Sequence, residues 1–379
     1  MKIAFIYDAV YPWIKGGAQK RIYEIAKRLV NNGHEVHWFG LNWWNGNTTI
    51  EHDGVYIHGV GKSVPLYKNG RRSISEALYF ARKLILPLSK DNYDIIDCQE
   101  FPYFSCFSTK LVSIAKHIPM VITWYEVWGD YWFEYLGRKG IFGKFVEKYS
   151  TKLPHLIIPI SEKIKSDLEV LGVPKEKMRV VPNGVDFYRI QNVKPHGEEF
   201  DIVYVGRLIS HKNVDVLLKA VTFIREEIKD VRVAIIGDGP ERDNLIKLSK
   251  ELNLQQNVKF FGFLEKDEDV YAVMKASKVF VLPSTREGFP NTILEANSCG
   301  LPAIVIDHPL NGSTGIVKNG YNGFILPLSE KEISTRVLTL LQDSNLLNTL
   351  KRNSIEFAKS HDWSVIVKKL ENVYKGVGK

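Results

Sequence analysis

The chain is poor in cysteine: Cys98, Cys106 and Cys299 are the only three in 379 residues. They stand apart, so neither a disulfide framework nor a paired Cys-x-x-Cys metal site is available, and a reducing compartment is expected. Long apolar runs are missing as well. None reaches the roughly 18 residues that a membrane span needs, and stretch 153–160 is broken by Pro154, His155 and Pro159. The N-terminus opens directly on the strand-like Lys2-Ile3-Ala4-Phe5-Ile6-Tyr7, without the charged region, apolar region and cleavage site of a signal peptide, so a cytosolic protein is expected. Low-complexity tracts and repeats of about 20–50 residues are also lacking, which sets aside solenoids. What remains is ordinary globular material, 45% hydrophobic and 25% charged, long enough for two domains at roughly 100–200 residues each.

The net charge of +8 is unevenly placed. Residues 1–190 hold 26 Lys+Arg against 19 Asp+Glu, a net of +7, while residues 191–379 hold 25 against 24, a net of +1. Such asymmetry speaks to anionic partners (nucleic acid, anionic lipid or phosphorylated substrates) and not to fold.

Strand-like runs alternate with segments of helical period, the pattern of βαβ units and a mostly parallel sheet. The first half gives strands at 2–8, 35–40, 55–60, 94–99, 120–125, 156–161 and 179–182; the second restarts at 201–206, 231–237, 258–263, 279–283, 303–307 and 323–326. The clearest helix is 18–32, with Ile22, Ile25, Ala26 and Leu29 on one face and a stop at Asn31-Asn32-Gly33. Segment 186–200, with Pro195-His196-Gly197-Glu198-Glu199, is the best linker, and an amphipathic stretch closes the chain at 363–374. Two domains are therefore expected, 1–190 and 191–360, with a terminal helix at 361–379 packing back on the first. Facing doubly wound domains leave a cleft at the carboxyl ends of their strands.

Four stretches could carry chemistry. Gly16-Gly17-Ala18-Gln19 opens the first long helix, where free N–H groups attract an anion; a plain flexible turn explains it equally well. Gly206-Arg207-Leu208 ends a strand and Ser210-His211-Lys212-Asn213 starts a helix, so Arg207 and Lys212 could clamp a diphosphate, or could be ordinary surface ion pairs. Gly237-Asp238-Gly239-Pro240-Glu241 holds only the first part of a dinucleotide fingerprint, since Asn244 does not complete it, and a turn before a helix accounts for it. In Pro283-Ser284-Thr285-Arg286-Glu287-Gly288-Phe289-Pro290-Asn291-Thr292-Ile293-Leu294-Glu295, Pro290 suits a first helical turn, leaving N–H groups near Asn291 and Thr292 for an anion. Glu287 in the loop and Glu295 in the helix suit sugar and ribose hydroxyls, with dipole stabilisation of a helix start as the alternative.

The Glu, seven residues, Glu pattern of Glu287 and Glu295 occurs with Gly206-Arg207, Lys212, Pro182-Asn183-Gly184-Val185-Asp186 and Asn319-Gly320-Tyr321-Asn322-Gly323-Phe324. Together these resemble glycosyltransferase family 4 over nearly the whole chain. The resemblance implies an α/β fold of GT-B type, two Rossmann-like doubly wound domains facing across a cleft, and a retaining transfer of a hexosyl group from a nucleoside-diphosphate sugar. It implies no metal and no cofactor beyond that donor. Catalysis would fall to Glu287, Arg207 and Lys212. The diphosphate would be held by Arg207, Lys212 and the backbone at Gly16, Gly17, Asn291 and Thr292, the donor sugar by Glu287 and the ribose by Glu295. One position departs. Family members commonly carry Thr-Trp-His-Glu-Val-Trp where this chain reads Thr123-Trp124-Tyr125-Glu126-Val127-Trp128, so Tyr125 stands where a histidine would touch the donor sugar. That departure keeps a second reading open, a catalytically impaired sugar-nucleotide-binding partner of the same fold.

For the acceptor, residues 62–90 hold seven basic residues, Lys62, Lys68, Arg71, Arg72, Arg82, Lys83 and Lys90, against Glu76 alone. Trp128, Tyr131, Trp132, Phe133 and Tyr135 precede Arg138, Lys139, Lys144 and Lys148. Basic and aromatic residues together suit an anionic membrane surface as well as they suit a solvated helix over ordinary core aromatics. The expected partners are a nucleotide sugar, a glycan or lipid-linked acceptor and the cytoplasmic face of a membrane. Nucleic acid is not expected, because no helix-turn-helix, zinc or RNP signature is present.

Overall fold

The computed structural model describes residues 1–68 and 71–377. It divides into two compact units, unit 1 of Met1–Asn183 with Trp363–Lys379 and unit 2 of Gly184–Asp362. The expected end of the last helix, at 379, lies outside the described residues.

In unit 1 the strands are β1 (Lys2–Ile6), β2 (Glu35–Asn42), β3 (Thr49–His52), β4 (Val55–Lys62), a small separate ribbon of β5 (Tyr67–Lys68) and β6 (Arg71–Arg72), β7 (Ile95–Gln99), β8 (Met120–Trp124) and β9 (Leu156–Pro159). Seven of them form one sheet in the order β3-β4-β2-β1-β7-β8-β9. Every pairing in it is parallel except β3 with β4. β7 and β8 are buried along their whole length, as expected of parallel strands covered on both faces. The covering helices include α1 (Gly17–Asn31), α2 (Ile74–Ser89), α3 (Phe104–Lys116), α4 (Tyr131–Leu136) and α5 (Gly140–Ser150). Helix α1 buries Ile22, Ile25, Ala26 and Leu29 in the same core as Trp363, Ile366, Val367 and Leu370 of the terminal helix Trp363–Val377.

Two local readings change. Antiparallel β3 was not expected, although its signal was present: Asp53-Gly54, both at positive φ, is a two-residue hairpin turn. The strand expected at 179–182 does not form. Beside β9 stand one isolated bridge, Met178 opposite Ile157, and two amide bonds, from Arg179 to Ile157 and from Val181 to Pro159. The carbonyls of Val181 and Pro182 are instead taken by the buried guanidinium of Arg21, at 2.9 and 2.7 Å.

Unit 2 contains β10 (Ile202–Val205), β11 (Val233–Ile236), β12 (Val258–Gly262), β13 (Val279–Leu282), β14 (Ala303–Ile306) and β15 (Gly323–Leu326). They form an all-parallel sheet in the order β12-β11-β10-β13-β14-β15. The division falls between residues 183 and 184, not between 190 and 191. Val185, Phe187 and Ile190 are buried in the core of unit 2, so the start of the supposed linker is structural. Phe187 N–H donates to Asp362 and Val185 N–H to the His361 carbonyl, which sets the entering and leaving segments of this unit side by side.

Candidate active site

The strand order of unit 2 reverses between β10 and β13, and ligands of open α/β sheets bind beyond the carboxyl ends of strands at such a switch point. Arg207 follows β10 and is exposed; Glu287 lies in the loop after β13. The ammonium of Lys212 pairs with the Glu287 carboxylate, both side chains being mostly buried at 15% and 11% exposure. The imidazole of His211 is held below its ordinary range by burial first and then by the charges of Lys212, Arg286 and Arg207. The Glu287 carboxylate opposes those three charges.

The loop is fixed from two sides. The Thr285 N–H donates to the His211 carbonyl at 3.0 Å, and the Asn213 amide donates to the Pro283 carbonyl at 3.0 Å. On the other side the Glu287 N–H donates to Leu310, and the Gly312 N–H returns a bond of 2.7 Å to the Glu287 carbonyl. A Cβ on Gly312 would lie 1.9 Å from the Gly288 carbonyl oxygen, so only glycine permits this approach. Fully buried Asn311 closes the arrangement by donating to the carbonyls of Ser284 at 2.9 Å and Ile306 at 2.7 Å. Neither Asn213 nor Asn311 was singled out by sequence reasoning. Asn213 had a signal, the Ser-His-Lys-Asn turn, whereas Asn311 had none.

Helix Asn291–Ser298 begins one residue after Pro290, which is its N-cap and not, as expected, part of its first turn. No side chain caps it, so the amides of Asn291 and Thr292 stand at its positive end. Glu295 sits one turn along and accepts a long bond of 3.4 Å from the Tyr271 hydroxyl, whose proton is held tightly by burial and by the Glu295 charge. Gly237 sits at φ +135°, where a Cβ would come within 1.9 Å of the Gly206 carbonyl oxygen. The Gly-Asp-Gly stretch is thus a backbone crossing.

In unit 1 Tyr125 directly follows β8, whereas Gly16-Gly17 lies well past β1, at the start of α1. Gly16 is the extended N-cap of α1, without side-chain capping, and both Gly16 and Gly17 are exposed. A Cβ on Gly17 would meet nothing, so packing within unit 1 does not demand glycine there. Tyr125 is turned away from any base role. Its hydroxyl donates to Gln99 Oε1 at 2.6 Å, and burial holds its proton far above the ordinary phenol range. Gln99 passes the contact on to buried Asp97, which also accepts from Thr123 at 2.8 Å and from Tyr374 of the terminal helix at 2.5 Å. Burial raises the Asp97 carboxyl to about 6 against these bonds. Arg72, counted among the surface cations, is mostly buried and paired with Asp8, while the carboxyl of buried Glu76 nearby is pushed up to about 9 by burial and by Asp8.

Known proteins agree with this layout. The family models "Glycosyltransferase Family 4" and "Glycosyl transferases group 1" match residues 15–189 and 186–357. The UDP-Gal:alpha-D-GlcNAc-diphosphoundecaprenol alpha-1,3-galactosyltransferase of Escherichia coli is 30% identical over 283 residues, covering 70% of each chain. The chain belongs to glycosyltransferase family 4. This glycosyltransferase also shares its fold with sucrose-phosphate synthase of Thermosynechococcus elongatus (TM-score 0.78, 20% identity, 99% of this chain and 98% of that one). HepE of Anabaena, crystallised with UDP, superposes at a TM-score of 0.75 with 20% identity over 99% of this chain and all of that one. The fold is GT-B, with a Rossmann-like sheet in each unit. Among the described residues, no helix is long and apolar enough to cross a membrane.

Proposed function

We propose that this enzyme moves a hexosyl group, with retention of configuration, from a nucleoside-diphosphate sugar to a lipid-linked acceptor at the cytoplasmic face of a membrane. The observation that carries the reading is the Lys212–Glu287 pair, held in a doubly pinned loop within the field of Arg207 and Arg286 and in the same unit as an uncapped helix end. Arg207 and Lys212 take the diphosphate, helped by the amides of Asn291 and Thr292. Glu287 orients the donor sugar and Glu295 the ribose. Fixed positive charge around a leaving diphosphate stabilises the charge that grows on it, the job a divalent ion does elsewhere, so no metal is required. The acceptor class is supported by the Escherichia coli relative, whose substrate is a diphosphoundecaprenol-linked sugar.

Turnover of UDP-, GDP- and ADP-hexoses by the purified protein with membrane lipid extract, with the product anomer read by NMR and the chelator EDTA present, tests the reading. Transfer with retention, lost in Arg207→Ala and Lys212→Ala, is expected; full activity in both variants would remove the site. The locked Tyr125 hydroxyl favours one competing reading, a partner protein that binds the donor without turning it over. Donor hydrolysis or transfer that disappears in Glu287→Ala excludes it.

A further inference from the structure

We propose that a cavity in unit 1, between α2, α3, α4 and α5, holds a segment of the polyprenyl chain of the acceptor lipid; this rests on the lipid-linked acceptor proposed above. The cavity measures about 140 Å³ and its walls are apolar, among them Ala77, Phe104, Trp132, Leu136 and Val146. Apolar space of about 150 Å³ takes a benzene-sized guest, so one five-carbon isoprene unit fits. Its one charged lining group is Arg72, whose guanidinium pairs with Asp8 through Nη2 while its buried Nε has no hydrogen-bond partner.

The cavity opens onto an apolar surface. Ile74 of α2 and Phe142 of α5 line it and are 56% and 72% exposed, and Ile141 and Phe145 continue the patch along α5 at 55% and 59%. Contiguous apolar surface of this kind marks a membrane or partner contact. Charge decides between them. Helix α5 turns its one acid inward, where Glu147 accepts the amides of Trp128 at 2.8 Å and Gly129 at 3.0 Å. Its surroundings turn cations outward: Arg138, Lys139 and Lys148 are exposed, and Arg71 lies over the ring of Tyr135, a cavity-wall residue, at 5.6 Å. Against them stand exposed Asp130, already paired with Lys144, and Glu134. A cationic rim around an apolar mouth matches the anionic diphosphate and hydrocarbon of a polyprenyl lipid. A second copy of the chain would bring the same cations against themselves in a two-fold contact.

Calorimetric titration of the full chain, with UDP present in excess to fill the donor site, tests this with three probes: farnesyl diphosphate, dodecyl diphosphate and inorganic diphosphate. Farnesyl diphosphate should bind at least roughly tenfold more tightly than either other probe, as expected if its chain leaves water for an apolar cavity of matching shape. Val146→Phe, which fills the cavity, should abolish that advantage without moving the thermal melt; Ala77→Leu serves where Val146→Phe does not fold. Equal binding of farnesyl and inorganic diphosphate, equal binding of the farnesyl and dodecyl compounds, or an advantage that survives filling would each overturn the proposal. So would a dimer in sedimentation that Phe142→Glu dissociates. Failure of sugar transfer to a soluble acceptor would count against the transfer reading and would leave the farnesyl result where it stands.

Discussion

Units 1 and 2 are built on the same parallel plan, yet the points at which their strand orders reverse carry opposite chemistry. In unit 2 the reversal between β10 and β13 is met by Arg207, Lys212 and Arg286, with a single carboxylate, Glu287, paired to Lys212. In unit 1 the reversal lies between β1 and β7, and the residues just past those strands are the buried acids Asp8 and Glu100. Burial, and then the charge of Glu126, hold the Glu100 carboxyl well above its usual range. One switch point gathers cations around a single ion-paired carboxylate, and the other buries two acids, of which Asp8 is paired with Arg72. The plan sets where a ligand sits, and loop chemistry sets which ligand it is. The surfaces differ in the same sense, because the first half carries nearly all the excess positive charge although its switch point is acidic. Part of that charge faces outward around α5 and α2, at Arg82, Lys83, Arg138, Lys139 and Lys148.

The contrast is open to attack at each end. All eight tryptophans, Trp13, Trp38, Trp43, Trp44, Trp124, Trp128, Trp132 and Trp363, lie in unit 1, so tryptophan fluorescence follows that unit alone. The largest effect is expected for Lys212→Ala. Removing a positioned charge from a developing diphosphate costs about 2.7–4 kcal/mol, so kcat with the preferred donor should fall roughly 100–1,000-fold while the tryptophan unfolding curve stays in place. A shift of that curve with little loss of kcat would put the role of Lys212 in unit 1 and break the comparison.

Next comes pH. The Asp97 carboxyl is raised from 3.8 to about 6 in the folded state, which therefore binds its proton more tightly than the unfolded chain does. Stability from this group is complete below pH 4 and falls away as pH rises through 6, by about 3 kcal/mol at 1.36 kcal/mol per pKa unit. The urea midpoint read by tryptophan fluorescence should decline between pH 4 and 7, and Asp97→Asn should remove its share of that slope. An unchanged slope in the variant would show that the Tyr374–Asp97–Gln99 chain is not a coupled proton site.

Asn311→Ala should cost about 1–3 kcal/mol, the price of leaving buried carbonyls of Ser284 and Ile306 without donors. The loss should appear as faster hydrogen exchange at the 284–288 loop, with unit 1 unaffected. The smallest structural effect is expected at Gly17→Ala. Nothing within 4 Å meets the new methyl, so stability should move by less than about 0.5 kcal/mol, and any larger drop in donor turnover would come from a ligand's need for that space.

Much of this was legible in the residues. The six strands of unit 2 read clearly because buried parallel strands are short apolar runs closed by Gly, Pro or Asp, as in Asp201–Gly206 and Val279–Pro283. The positions of Arg207, Lys212 and Glu287, after a strand or in a turn, were legible because those features are local in sequence, and their roles are those proposed above. What escaped depends on partners far along the chain. Tyr374 meets Asp97 across 277 positions, and Asn311 meets Ser284 across 27, and neither leaves a local pattern. The 179–182 segment misled because Val180 and Val181 have strand propensity, while the carbonyls of Val181 and Pro182 that a ladder would use are bound by Arg21. Arg72 misled in the opposite way, since a cation in a basic run reads as surface until Asp8 is found beside it.

The central claim is that the donor diphosphate is held by unit 2 through Arg207 and Lys212. Calorimetric titration of UDP into the full chain and into Arg207→Ala and Lys212→Ala tests it most directly. The account predicts single-site binding of UDP that weakens at least roughly tenfold in each variant, in line with the loss of one charge-assisted contact. UDP binding that is unchanged in both would contradict it.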